Sequence, residues 1–264
     1  MTGSRYSFDQ AWEHERARLA GIEALWDEGS RTLLERCGSA SAPAILEVGA
    51  GGGSLVQWLA AQAADNAVVV ATDLDTRFID PLAEAGGRVR VDVRQADIVA
   101  DPLESDFYDL VHIRMLLEHL AEADAAIGHL TAALRPGGWL VAEDLDWAPF
   151  GFQPESELTH RAADAVLDLM ARGGFDRTFG RRLPEAVAAH GMEDLRCEGR
   201  SKILEVTDPG AAFFQLSFDE MAPTLVATGM LGQQDVDTVR AGLVDGSYRI
   251  VTPTLVAAIA RKPT

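Results

Sequence analysis

The sequence predicts an α/β fold: a doubly wound, mostly parallel sheet with helices on both faces, extended by an N-terminal helical layer and helical lid insertions. Three observations predict it. Short apolar, β-branched runs alternate with helical stretches between residues 44 and 146, the pattern of a parallel sheet covered on both sides. A glycine-rich segment, Gly49-Ala50-Gly51-Gly52-Gly53, directly follows the first of these runs and opens a helix. The chain has 264 residues, 47% hydrophobic and 24% charged, enough for one large core in one elaborated domain.

Within that single domain (1–264), residues 1–40 read as N-terminal helices, 41–147 as a ligand-binding core, and 148–264 as substrate-side insertions with C-terminal strands and helices. Trp12, Leu19, Ile22, Leu25, Trp26, Leu33 and Leu34 recur at helical spacing, predicting two amphipathic helices over 5–36, broken near Gly29-Ser30. Strands are expected at 44–50, 67–73, 88–97, 108–114 and 137–145, with helices at 54–64, 76–86 and 124–134 between them. Beyond residue 148 the rhythm changes. Helices are expected at 157–174 and 181–191, a strand over 194–206, and mostly helix over 208–245, while 255–262 fits a last strand or a short helix.

The net charge of −18 repels phosphate backbones and the 23 basic residues are scattered, so nucleic acid is a poor candidate partner. Two cysteines, Cys37 and Cys197, are too few for a disulfide framework or a structural zinc site, and both are expected to be buried, inert thiols. There is no HExxH helix or EF-hand loop, and no metal is expected. The polar N-terminus and the lack of a long apolar run lead us to expect a cytoplasmic protein without a membrane span.

A glycine turn between a strand and a helix admits a ligand against the backbone, because no Cβ intervenes. Dinucleotides and S-adenosylmethionine both use such turns. The dinucleotide fingerprint wants glycine or alanine three residues after Gly51, and Ser54 stands there. Glu47-x-Gly49-x-Gly51-x-Gly53 instead resembles the first motif of the class I, Rossmann-like S-adenosylmethionine-dependent methyltransferases. The resemblance continues in order over residues 40–146, through Asp73 in Ala71-Thr72-Asp73-Leu74-Asp75, Asp97-Ile98, Tyr108-Asp109-Leu110-Val111 and Leu134-Arg135-Pro136-Gly137-Gly138. It is similar to the small-molecule branch that includes ubiquinone-type and antibiotic-tailoring enzymes.

The resemblance implies S-adenosylmethionine as cofactor and S-adenosylhomocysteine as product. It assigns Glu47, Gly49, Ala50, Gly51 and Gly53 to the cofactor turn, Asp73 to the ribose hydroxyls with Leu74 also in the cofactor site, and Asp97 and Ile98 to the adenine edge. His112, Ile113 and Arg114 are expected beside the methionine portion. Arg114, Arg18 and Arg31 are the candidates for its carboxylate. Asp73 also reads as a simple N-cap for the next helix.

Methyl transfer from a sulfonium is chiefly a matter of holding two reactants in line and excluding water, so no covalent or metal constellation is required. A hydroxyl or ammonium acceptor must still lose a proton. The candidates to receive it are His119, Glu143, Asp144 and Asp146, near the C-terminal ends of strands four and five. Trp147 and Phe150 are candidates to line an acceptor pocket. The insertions at 148–182 and 208–245 are rich in Phe and Met, pointing to a small, apolar or aromatic acceptor methylated on O, N or C, or else to a homodimer surface. The alternatives are a non-methylating reaction such as cyclisation, methylation of a protein, and dinucleotide oxidoreduction.

Overall fold

A computed structural model of the protein describes residues 14–84 and 88–264. Trp12 and the start of the expected N-terminal helices lie outside the described residues. Helix α1 (Glu15–Arg36) leads into the alternating core of β1 (Ala44–Val48), α2 (Ser54–Gln62), β2 (Val68–Asp73), α3 (Asp80–Glu84), β3 (Arg90–Gln95), β4 (Tyr108–Arg114), α4 (Ala123–Ala133) and β5 (Leu134–Asp146). The rest of the chain is β6 (Gly151–Gln153), α5 (Glu157–Arg172), α6 (Phe179–Ala189), β7 (Glu193–Arg200), β8 (Ile203–Leu204), α7 (Ala211–Ala227), α8 (Gln233–Asp245), β9 (Arg249–Val251) and β10 (Thr254–Arg261).

Seven strands form one sheet in the order β3-β2-β1-β4-β5-β10-β7, parallel throughout except for β10, which runs antiparallel to both neighbours. Every residue of β1 is buried, as a strand covered on both faces requires. On one face Ile45, Val69, Leu110 and Val141 pack against Leu33 and Leu34 of α1 and Leu55, Val56 and Leu59 of α2. On the other, Leu46, Val70, Val111 and Ile113 meet Ile127 and Leu130 of α4 and Leu183 and Val187 of α6. Successive residues of one strand therefore serve opposite layers.

A third apolar cluster joins Leu25 and Trp26 of α1 to α5, α7 and α8, built on Val166, Met170, Phe213, Phe214, Phe218 and Leu243. A capping box starts α5, in which the Ser156 hydroxyl accepts from the Thr159 N–H at 3.1 Å and the Thr159 hydroxyl accepts from the Ser156 N–H at 2.8 Å.

Four expectations are corrected. Helix α1 runs unbroken through Gly29-Ser30: the Ser30 hydroxyl donates to the Trp26 carbonyl at 3.2 Å, and the Arg200 guanidinium fills the space where a Gly29 side chain would project. Tertiary contact here outweighs the cost of about 1 kcal/mol for glycine in a helix. The turn expected at Leu134–Gly138 is absorbed into β5 as an irregularity, since Tyr108 pairs with Leu134 and Leu110 with Trp139, with Gly137 at φ 78°. The strand expected over 194–206 divides into β7 and β8, which belong to different sheets; β6, β9 and β8 form a second, three-stranded antiparallel sheet. Cys197 is exposed because β7 is an edge strand, and Cys37 is only half-buried, with burial pushing its thiol up to about 11. The segment 255–262 resolves as strand β10, and no helix of the described residues is long and apolar enough to cross a membrane.

Gly21 lets α1 cross close over α7, because a Cβ built there would lie 2.6 Å from the backbone nitrogen of Phe213. Gly21→Ala forces the two helices apart. The expected cost is about 1–3 kcal/mol, read by calorimetry as a drop of several degrees in Tm; an unchanged Tm contradicts this packing.

Candidate active site

The turn after β1 is fixed by backbone geometry. Gly49, Gly51 and Gly53 sit at φ 69°, 53° and 84°, the left-handed region that side chains resist. The N–H groups of Gly49 and Ala50 donate to the Thr72 carbonyl at 2.8 and 3.1 Å, and the Gly51 N–H donates to Asp73 Oδ2 at 2.8 Å. Asp73 Oδ1 accepts from the Asp75 N–H at 3.1 Å. Asp73 therefore braces the glycine turn and does not cap α3. Burial raises its carboxyl above the ordinary range, opposed by those backbone donors.

These elements line a cavity of about 160 Å3 at the C-terminal ends of β1 to β4, on either side of the point where the strand order reverses. Of the sequence-predicted residues, Glu47, Gly49, Ala50, Gly51, Asp73, Leu74, Asp97, Ile98, Arg114, His119 and Trp147 stand in its wall. Gly53 stands behind it at the N-terminus of α2, where a Cβ would meet Ile79 and Leu82 at 2.9 and 3.0 Å. Helix α1 closes the near side with Glu15, Arg18, Leu19, Ile22 and Glu23. Of these, Arg18 is the one residue singled out in the sequence as a candidate for the methionine carboxylate.

His112, Ile113 and Glu143 do not reach the cavity. Ile113 points into the α4 and α6 layer. His112 Nδ1 lies 2.7 Å from Glu47 Oε2, and Nε2 lies 3.0 Å from Glu143 Oε2, whose other oxygen accepts from Arg200. A buried chain of alternating charge thus crosses the sheet from β1 through β4 and β5 to the end of β7. Burial works against the charge on His112, but the two carboxylates outweigh it and lift the imidazole to about 9. Glu143 is held down at about 2, since His112, Arg200 and Arg114 together overcome its burial. A carboxylate bound on both sides in this way is not available to a substrate.

Asp146 is committed to a two-contact pair with Arg181 at 2.8 and 3.1 Å, away from the cavity. Asp144 is fully buried one layer behind the wall, accepting from the Glu118 N–H at 3.0 Å. Burial raises it to about 7. His119 faces the cavity beside Phe175, with ring centroids 5.3 Å apart, and burial together with Arg18 lowers it to about 4, so it is neutral at pH 7. The residue that the sequence reading passed over is Glu118. It is 1% exposed, stands in the cavity wall, and accepts the Trp147 indole N–H at 2.9 Å. Its only sequence signal was the run Leu116-Leu117-Glu118-His119-Leu120, in which the histidine drew the attention.

The arginines are already engaged. Arg114 donates to Asp27 at 2.8 Å and Ser30 at 2.9 Å, tying β4 to α1, and Arg18 meets Glu15 at 2.7 Å through both its Nε and an Nη. Arg31 pairs with Asp27 outside the cavity. The wall therefore presents seven acids (Glu15, Glu23, Glu47, Asp73, Asp75, Asp97, Glu118) against two paired arginines. Two buried acceptors in it, Glu23 Oε1 and Glu118 Oε1, have no hydrogen bond. An acceptor-rich wall of this kind disfavours a pyrophosphate and fits a ligand that brings ribose hydroxyls, an ammonium and a sulfonium.

Because its folded value lies above the ordinary 6.5, His112 adds stability that is fully present below pH 6.5 and is lost as pH rises through about 9. Glu143, lowered from 4.5 to about 2, adds stability that is present above 4.5 and lost as pH falls through about 2. His112→Gln leaves Glu47 without its buried cationic partner and Glu143 with Arg200 alone, an expected loss of about 3–5 kcal/mol near pH 6. Urea unfolding across pH 6 to 9 should show wild type and variant converging as pH rises; a constant gap contradicts a charged His112.

Comparison with known proteins agrees with this geometry. Residues 46–140 match a family model described as a methyltransferase domain. Methyltransferase str2 of Strobilurus tenacellus is 33% identical over 142 residues, 53% of this chain and 49% of that protein. The ubiquinone/menaquinone biosynthesis C-methyltransferase UbiE of Pseudomonas paraeruginosa is 28% identical over 179 residues, 64% of this chain and 66% of that one. The chain thus spans between about half and two thirds of the length of these curated relatives. A crystal structure of a putative methyltransferase from Bacillus halodurans superposes with a TM-score of 0.58 at 18% identity, covering 89% of this chain and 98% of that one, a likeness of fold. Residues 46–140 thus carry a methyltransferase domain, and the ordered motifs, the glycine turn braced by Asp73 and the acceptor-lined cavity support a class I S-adenosylmethionine-dependent methyltransferase.

Proposed function

We propose that this protein transfers a methyl group from S-adenosylmethionine to an oxygen, nitrogen or carbon of a small, apolar or aromatic acceptor. The observation that carries the acceptor class is the apolar end of the cavity, which borders a second chamber of about 20 Å3. The two share Trp147, Met170 and Phe213, and the smaller is walled by Phe150, Phe152, Phe214, Phe218 and Met221. Phe150 lies nearly parallel to Phe214 at a centroid distance of 5.6 Å and edge-on to Trp147 at 5.2 Å, so the cavity ends on packed aromatic side chains that favour an apolar neighbour.

The cofactor supplies an electrophilic methyl on a positively charged sulfur. The residues of the chain orient and shield it. Asp73, already holding the glycine turn, accepts the ribose hydroxyls, and Leu74, Asp97 and Ile98 enclose the adenine. Glu47, Arg18 and Arg114 face the methionine end. Helix α1 over the top, and Trp147 with Phe213 at the junction, keep water from the line of attack.

S-adenosylmethionine and S-adenosylhomocysteine are expected to bind with micromolar affinity in calorimetry and NAD not to bind, with Asp73→Ala weakening binding by about 1–3 kcal/mol; binding of NAD alone overturns this reading. Phenolic, quinol, polyketide and amine acceptors, screened for S-adenosylhomocysteine release, should give turnover with an apolar ring. Phe214→Ala should then raise the acceptor KM about tenfold or more and leave S-adenosylhomocysteine affinity unchanged. An effect confined to cofactor affinity contradicts the apolar end of the cavity as acceptor site.

A further inference from the structure

We propose that Glu118, backed by Asp144, is the proton-accepting group at the methyl end of the cofactor cavity: the acid pair gives up a proton when the cationic cofactor enters, and Glu118 then takes one from the acceptor. The inference rests on the cofactor reading above and adds a residue and a step to it.

The geometry begins with strand order. A nucleoside held by Asp97 and Asp73, at the ends of β3 and β2, would extend its other end over β1 and β4 toward β5. Beside Glu47 and Arg114, the polar groups of the wall there include Glu118 and His119, on the turn after β4, and Trp147 after β5. Trp147 also walls the aromatic chamber, so the apolar end of the cavity, where donor and acceptor meet, is held by the Glu118 to Trp147 hydrogen bond of 2.9 Å. The second oxygen of Glu118 is buried, carries no hydrogen bond, and lies 3.8 Å from His119 Nε2. A carboxyl with one oxygen anchored by Trp147, set in the cavity wall beside the Asp144 carboxyl with which it can share a proton, is positioned to exchange one.

The groups facing Glu118 come from each element around it. From β5, Asp144 accepts the Glu118 N–H. From the segment before α6, Asp176 donates its N–H to the Glu118 carbonyl and carries Arg182 on its carboxylate. From α1, Arg18 is paired with Glu15. On α4, Asp124 binds His190 and His129 binds the Ile98 carbonyl, so neither compensates Glu118. His119 is neutral at pH 7. Burial, and then the charge of Asp144, raise Glu118 well above the carboxylate range, and the pair retains a proton near neutrality.

A sulfonium entering beside this pair favours its ionised form, whereas the neutral thioether of S-adenosylhomocysteine does not. In transfer, the acceptor lone pair bonds the methyl carbon, the carbon–sulfur pair stays on sulfur, and the acceptor proton passes to the Glu118 carboxylate. The positive charge on sulfur and the negative charge on Glu118 are lost together, so the step is balanced without another reactant.

The test is calorimetric titration of the full chain with S-adenosylmethionine and S-adenosylhomocysteine at several pH values, in phosphate and in Tris, whose ionisation heats differ. S-adenosylmethionine should release a fraction of a proton that S-adenosylhomocysteine does not, and the ratio of their affinities should rise with pH by up to about tenfold per unit. Glu118→Gln and Asp144→Asn should each flatten that rise. Equal proton release by the two ligands in the wild type, which needs no variant, overturns the proposal. A difference that survives in a folded Glu118→Gln overturns it too, since that difference then belongs to the ligands' own amino groups. Failure of either ligand to bind removes the cofactor reading and this proposal with it, whereas binding without a linked proton removes this proposal alone.

Discussion

The buried chain Glu47–His112–Glu143–Arg200 is the constraint around which the rest of the site is arranged. It puts a carboxylate, an imidazolium, a second carboxylate and a guanidinium inside a sheet whose neighbouring side chains are almost all aliphatic. Isolated charges at such positions are prohibitively costly, and a closed series of opposite signs makes them tolerable. The consequence is register. Glu47 and His112 are cross-strand partners, and Arg114 and Glu143 are partners one step along, so a slip of β4 against either neighbour would strand a buried charge.

The same chain sets the relation of the lid to the sheet. Arg114 reaches from β4 to Asp27 and Ser30, and Arg200 lies against Gly29. Helix α1 is therefore placed by polar contacts along its middle and by apolar ones at Leu25 and Trp26. The cavity owes its roof to residues whose sequence signature is an ordinary amphipathic helix.

How legible this was in the sequence follows from what each feature depends on. The strands and helices of residues 44–146 were readable because burial on both faces demands continuous apolar runs, and the glycine turn because positive φ demands glycine. Asp73, Asp97 and Trp147, singled out in the sequence, stand in the cavity wall because they sit at or just beyond strand ends. Glu143 and His112 also stand there, but whether a strand-end side chain faces the cavity or the sheet interior depends on charges supplied by β7, nearly sixty residues further on by the numbering. Glu118 was missed for a related reason: its burial is set by Trp147 and Asp144, neither near it in sequence. The second sheet has strands of two or three residues, too short for any periodicity to register.

Strand β10 lies between β5 and β7, so β7 has no partner in the large sheet until residues 254–261 exist. At a synthesis rate of about 5–20 residues per second, the ribosome takes about 3–12 s to pass from the end of β7 to the end of β10. During that interval the nascent chain holds a finished parallel half, with Glu143 awaiting its guanidinium and a strand bearing Cys197 unpaired. The parallel strands β1 to β5 are all in place in the sequence by residue 146, so the closing of the large sheet waits on its last strand.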